Sequence, residues 1–172
     1  MRSGAKALLA CVMGAAVLAL ASCESGADSS GSAAREVPSA SAASVDSIPG
    51  IPSRELREQY GVTVPVDAID PSYGRHKAGG GGELWVKFGI GKGDLNGLLA
   101  GMGTGEEKLH SGMIAFTSAD LELTGWSLDP AHPVKGVLVP TRDDGMKSPS
   151  QKITIDYSDG NTVTVYVLAI KP

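Results

Sequence analysis

Residues 151–170 read QKITIDYSDGNTVTVYVLAI. Two β-rich segments, 151–157 and 162–170, are joined through Ser158, Asp159, Gly160 and Asn161, residue types that suit a tight turn. Along the second segment Val163, Val165 and Val167 alternate, while Tyr166, Leu168 and Ile170 fill the opposite side. A strand that is apolar on both faces belongs in the middle of a sheet covered on both sides. The stretch therefore predicts a C-terminal β-hairpin whose last strand is central.

Upstream segments supply further elements. Residues 135–140 (KGVLVP) predict a strand, followed by a polar loop through Ser150. Four consecutive glycines, 79–82, predict a loop before residues 83–90 (ELWVKFGI), where Leu84, Val86 and Phe88 alternate with Trp85 and Lys87. That period of two predicts a strand. After Gly91, Lys92 and Gly93, Asp94 is the expected cap of a helix, with Leu95, Leu98, Leu99 and Met102 on one face and Gly103 closing it. Ser53 is the expected cap of another short helix over residues 54–60, with Leu56 and Tyr60 on a shared face and Gly61 at the left-handed C-terminal position. Residues 62–66 are β-rich but contain Pro65, which points to an edge strand or extended arm. Residues 69–76, 113–116 and 121–123 are expected to be short strands and residues 106–110 a helical turn. The sum is an α+β domain: a mostly antiparallel sheet with one or two short helices packed on a face.

The chain has 172 residues and a formal net charge of −4, with no long run of Lys or Arg. Nucleic acid is therefore not an expected partner. Both cysteines, Cys11 and Cys23, lie near the start, so the remainder has no thiol for a disulfide, a metal or a nucleophile. The part from Ser53 onward, about 120 residues, is long enough to bury about two thirds of its unfolded surface.

The beginning of the chain carries an export pattern. Arg2 and Lys6 make a positive start, and residues 7–21 (ALLACVMGAAVLALA) are continuously apolar. As a helix this run would span roughly 22 Å, short of the ~30 Å hydrocarbon core of a bilayer. It reads as a leader, not as a permanent span. Leu20, Ala21, Ser22 and Cys23 resemble the bacterial lipobox, an aliphatic residue and two small ones before a cysteine. The resemblance implies residues 1–22 as a lipoprotein signal peptide, cleavage between Ser22 and Cys23, and a diacylglyceryl thioether on Cys23. Each buried methylene contributes about 0.8 kcal/mol, and two chains anchor stably where one does not. Residues 23–52 are rich in Ser, Ala, Gly and Pro and predict a tether spanning roughly 30 Å, attached to one domain over residues 53–172. YGVTVP (60–65), the helix DLNGLL (94–99) and the closing TVYV (164–167) together resemble small extracytoplasmic lipoproteins of high-GC Gram-positive bacteria. That resemblance implies export to the outer face of the cell membrane and brings no catalytic residue.

Candidate chemistry is sparse. The run from Gly91 to Gly97 (GKGDLNG) sits where a phosphate-binding turn would, but no parallel return follows. His76, His110 and His132 are widely spaced and match no metal-ligand pattern, and no G-x-S-x-G elbow occurs. Asp156 to Asn161 superficially resembles a calcium loop but has Asn161 where the sixth-position glycine is required. No catalytic residue, metal site or cofactor is expected. Trp85 and Trp126 are the candidate ligand contacts, each weighed against an ordinary core role. The expectation is a non-enzymatic binding or structural module, held to the membrane through Cys23 and facing cell-wall polymer or an envelope protein. The alternatives are an envelope hydrolase that brings a histidine to a carboxylate, and a carrier of a small ligand or metal.

Overall fold

The computed structural model describes residues 47–78, 81–141 and 148–172. The expected leader, Cys23 and most of the expected tether fall outside these residues.

Seven strands and three short α-helices make up the described fold: β1 (Ile48–Pro49), α1 (Arg54–Tyr60), β2 (Ile69–Ala78), β3 (Gly81–Gly91), α2 (Leu95–Gly101), β4 (His110–Ser111), α3 (Ser118–Thr124), β5 (Val134–Val139), β6 (Ser150–Asp156) and β7 (Thr162–Lys171). The strands form one sheet in the order β1-β2-β3-β7-β6-β5-β4. Every pairing among the described residues is antiparallel. The architecture is thus an α+β fold dominated by an antiparallel sheet. β7 lies between β3 and β6, in the centre, where its two apolar faces place it. Its pairing with β3 runs from Gly82↔Lys171 to Gly91↔Thr162 and joins the early and late strands into one sheet.

The two faces differ in what covers them. On the first face, Leu84, Val86, Phe88 and Ile90 of β3 and Val163, Val165 and Val167 of β7 pack beneath Tyr60 of α1 and Leu95, Leu98, Leu99 and Met102 of α2. Each such side chain, once buried, contributes about 1.5–3 kcal/mol. Ser53 Oγ accepts the Leu56 N–H at 3.2 Å, and Gly61 at φ 62° ends α1 as the spacing predicts. Gly103, at φ 76°, closes α2 by donating to Ala100 O while Thr104 N–H reaches Leu99 O. Asp94 does not cap: it lies in a 3-10 turn with helical dihedrals and forms no side-chain capping bond.

The second face carries Trp85, Tyr166 and Leu168 and is closed by Phe116 together with Ile114, Leu121, Leu123, Trp126 and Leu128. Helices therefore lie on both faces, not on one. Residues 113–116 form no strand; they cross over the sheet, with the Ala115 N–H donating to Thr154 Oγ1 at 2.9 Å. Gly136 makes room for that crossing, since a Cβ there would stand 2.6 Å from Met113 O. Residues 121–123 are helical within α3. Thr117 Oγ1 accepts the Asp120 N–H at 3.2 Å, Asp120 Oδ2 accepts the Thr117 N–H at 2.6 Å, and Gly125 at φ 67° ends the helix. This reciprocal cap overrides the strand-like alternation of Leu121 and Leu123. Ahead of Ser53, Ile48 and Pro49 pair with Tyr73 and Ser72, and Gly50 N–H donates to Pro71 O at 2.7 Å.

Candidate functional site

The second face is where the sequence's candidate side chains meet. Paired residues of antiparallel strands share a face, so the register arranges this face in rows. One row holds Gly74, Trp85 and Leu168; the next holds Ser72, Lys87 and Tyr166; a third holds Gly89, Thr164 and Asp156. The first row is core. Trp85 is only 2% exposed, so it packs under residues 114–116 and α3 and presents no free ring. Gly74 permits this, for a Cβ there would lie 2.4 Å from the indole Cε2 and Cζ2. Trp126 remains half-buried, its ring 5.2 Å from Tyr166 edge-on and 5.1 Å from Phe116. Lys87 Nζ lies 5.5 Å from the centre of the Tyr166 ring, a cation–π distance. Burial, followed by the charges of Asp156 and Asp159, raises the Tyr166 pKa, which keeps the phenol neutral.

Beyond this aromatic border the face is open. A shallow trough of about 240 Å³ is bounded by Asp70, Ser72, Lys87, Asp159 and Thr164 and floored by Gly89. Ile69, 48% exposed, lies over Gly89 at its margin. Asp70 stands at φ 47°, beside the register shift between Ile69 and Ser72. Sequence reading could not single out these residues, because they come from three strands and a turn.

Two carboxylates on the same face are engaged in structure. Asp120 Oδ2 accepts from Lys152 Nζ at 2.7 Å as well as capping α3. Burial is the largest influence on the Asp120 pKa and raises it, but the bonds from Lys152 and Thr117 outweigh it and hold the carboxyl below its usual range. Asp156 stands between two partners: Oδ1 accepts from the Ser158 N–H at 2.9 Å and from Ser158 Oγ, and Oδ2 lies 3.3 Å from His132 Nδ1. There too burial pushes the pKa up and the hydrogen bonds from Ser158 and His132 prevail, lowering it.

The histidines do not converge in a cleft. His132 sits between Asp156 and Asp129, whose Oδ2 is 3.9 Å away. His76 faces Glu83 across β2 and β3 at 3.7 Å, largely in solvent, and His110 is exposed on β4. Ser158, Asp156 and His132 contain the residue types of a hydrolytic triad in an unsuitable order. The carboxylate occupies the middle, where a histidine is needed to take the serine proton. Among the described residues no three His, Cys, Asp or Glu side chains gather as a metal site. Comparison with protein-family models, curated proteins and solved structures finds no match. The assignment of a role rests on the chain itself. The glycine run 91–97 is absorbed by the link from β3 to α2, where the Lys92 N–H donates to Asn161 O at 3.0 Å. Other depressions among the described residues have volumes of about 230 to 380 Å³, and the Gln151 Oε1 beside one of them is sealed from solvent without a partner.

Proposed function

We propose that the chain is a lipid-anchored extracytoplasmic module with a non-enzymatic, binding or structural role. The anchor reading is supported by the positive start, the short apolar run and the lipobox-like Leu20, Ala21, Ser22 and Cys23. Among the described residues no helix is long and apolar enough to cross a membrane. The C-terminal β-hairpin expected from residues 151–170 belongs to the same reading. It is supported by the continuous register from Ser150↔Ile170 to Asp156↔Thr164.

The observation that favours a non-enzymatic role is the use made of Asp156. It holds Ser158 and His132 from between them, and no hydrogen bond joins the serine to the imidazole among the described residues. A hydrolase would need the imidazole beside the hydroxyl so that the base could activate the nucleophile. The partly buried cation–carboxylate contact of Lys152 with Asp120 serves the start of α3. Binding therefore falls to surfaces, and the outward-facing polar trough beside Tyr166 is one of them.

Detergent phase separation of whole-cell extracts tests the anchor. The wild-type chain is expected in the detergent phase and the Cys23→Ala chain in the aqueous phase. Equal partition of both into the aqueous phase would remove the lipid from the account.

A further inference from the structure

We propose that the trough on the second face binds a neutral polyhydroxylated ligand, one sugar ring of a glycan. This deepens the reading of the chain as a binding module by giving its surface a ligand class.

The side chains present supply the chemistry. Asp70 and Asp159 accept hydrogen bonds, Lys87 donates them, and Ser72 and Thr164 do both. A sugar hydroxyl is likewise donor and acceptor, so neighbouring hydroxyls on a ring can use such a mixed border on several sides. An anion would meet two carboxylates against one ammonium at this rim, which disfavours phosphate or a carboxylate ligand. Among the described residues these five side chains form no hydrogen bond or ion pair with the rest of the protein; Lys87 makes only its contact with the Tyr166 ring. Their polar atoms remain available, unlike those of Asp120 and Asp156.

The shape fits the same ligand. Ile69 fills the space above Gly89, where an added Cβ would meet its Cβ at 3.2 Å, and its half-exposed side chain offers an apolar patch for the C–H face of a ring. A volume of about 240 Å³ lies just under the roughly 300–1,000 Å³ of pockets that enclose drug-sized molecules. One ring fills it, and further units of a chain would extend into solvent. Part of the site is also pre-ordered. Trp126 packs edge-on against Tyr166, and Tyr166 in turn lies beneath the Lys87 ammonium. Of these groups Lys87 lines the trough, and holding it over the Tyr166 ring before binding lowers the cost of ordering it on binding.

Saturation-transfer NMR on the full chain in detergent micelles tests the assignment. The probes are N-acetylglucosamine, mannose and galactose, with calcium chloride and inorganic phosphate run alone as ionic probes. Saturation is expected to reach the ring protons of at least one sugar. Asp159→Asn and Thr164→Val should each weaken that binding about tenfold, whereas His76→Ala, further along β2 and outside the trough lining, should leave it unchanged. Thermal unfolding of each variant confirms that it is folded. The proposal is overturned if no sugar receives saturation, if binding is unchanged in both trough variants, or if only calcium or phosphate shifts the Gly89 and Thr164 amide resonances. Detergent partition of the same preparation keeps the two readings apart. An anchored chain that binds no sugar removes the ligand class alone, and an unanchored chain removes the membrane reading whatever the sugars do.

Discussion

Replacing Gly74 by alanine probes the closed part of the second face. The new Cβ would stand 2.4 Å from two carbons of the Trp85 indole and 2.6 Å from Nε1. Carbon atoms in comfortable contact are about 3.5–4.0 Å apart, so the ring or the strand must move by more than an ångström. The indole has little room to yield. Trp85 is 2% exposed, with Leu168 in register beside it and the α3 segment packed against the same cluster. Overpacking of this kind costs about 1–3 kcal/mol. Alanine also restricts the unfolded chain, which returns roughly 0.4–1 kcal/mol. The net expectation is a loss of about 1–2 kcal/mol, read as a lower urea midpoint by far-UV circular dichroism at unchanged slope. In a Trp85→Leu background the same Gly74→Ala change should cost close to nothing, because the clashing ring is gone. Equal cost in both backgrounds, or none in the wild type, would refute the packing of Trp85 across Gly74.

Asp120→Ala should destabilise the domain by about 1–2 kcal/mol, since it removes a helix cap and leaves Lys152 partly buried without its partner; Asp120→Asn, which keeps an acceptor, should lose less by the same urea titration. Both Asp120 and Asp156 have folded-state pKa values held below the usual range. Their stabilisation is fully present above the unfolded carboxyl pKa of about 3.9 and is lost as pH falls through the lower folded values. Urea midpoints should thus stay flat near neutrality and drop under acid, and the Asp120→Asn/Asp156→Asn double variant should drop less; equal acid sensitivity would count against these contacts. Gly61→Ala places a side chain at φ 62° and should cost about 1 kcal/mol, whereas no loss would mean that the left-handed end of α1 is not needed.

What could be read from the sequence was local. Leu95, Leu98, Leu99 and Met102 reveal α2 by spacing alone, and the doubly apolar run 163–170 correctly implies a strand buried on both sides. Helix α3 was obscured because its seven residues are too few for a period to emerge and Leu121 and Leu123 alternate like a strand. Its true mark lies in the ends, Thr117 with Asp120 and then Gly125. Alternation placed Trp85 opposite Leu84 and Val86, as found. Whether that side was open depended on residues 113–128, which return over the sheet from far along the chain. The two residues of β1 give no pattern, so Ile48 and Pro49 looked like tether. The trough was invisible for a related reason. Asp70, Lys87 and Thr164 become neighbours only when β3 lies between β2 and β7, an order that no local signal encodes.

Mass spectrometry of the mature polypeptide purified from membranes addresses the attachment on which the proposed role depends. The expected product begins at Cys23 and carries a diacylglyceryl group in thioether linkage to its sulfur. A chain that keeps residues 1–22, begins at another position, or carries a bare thiol on Cys23 would contradict it.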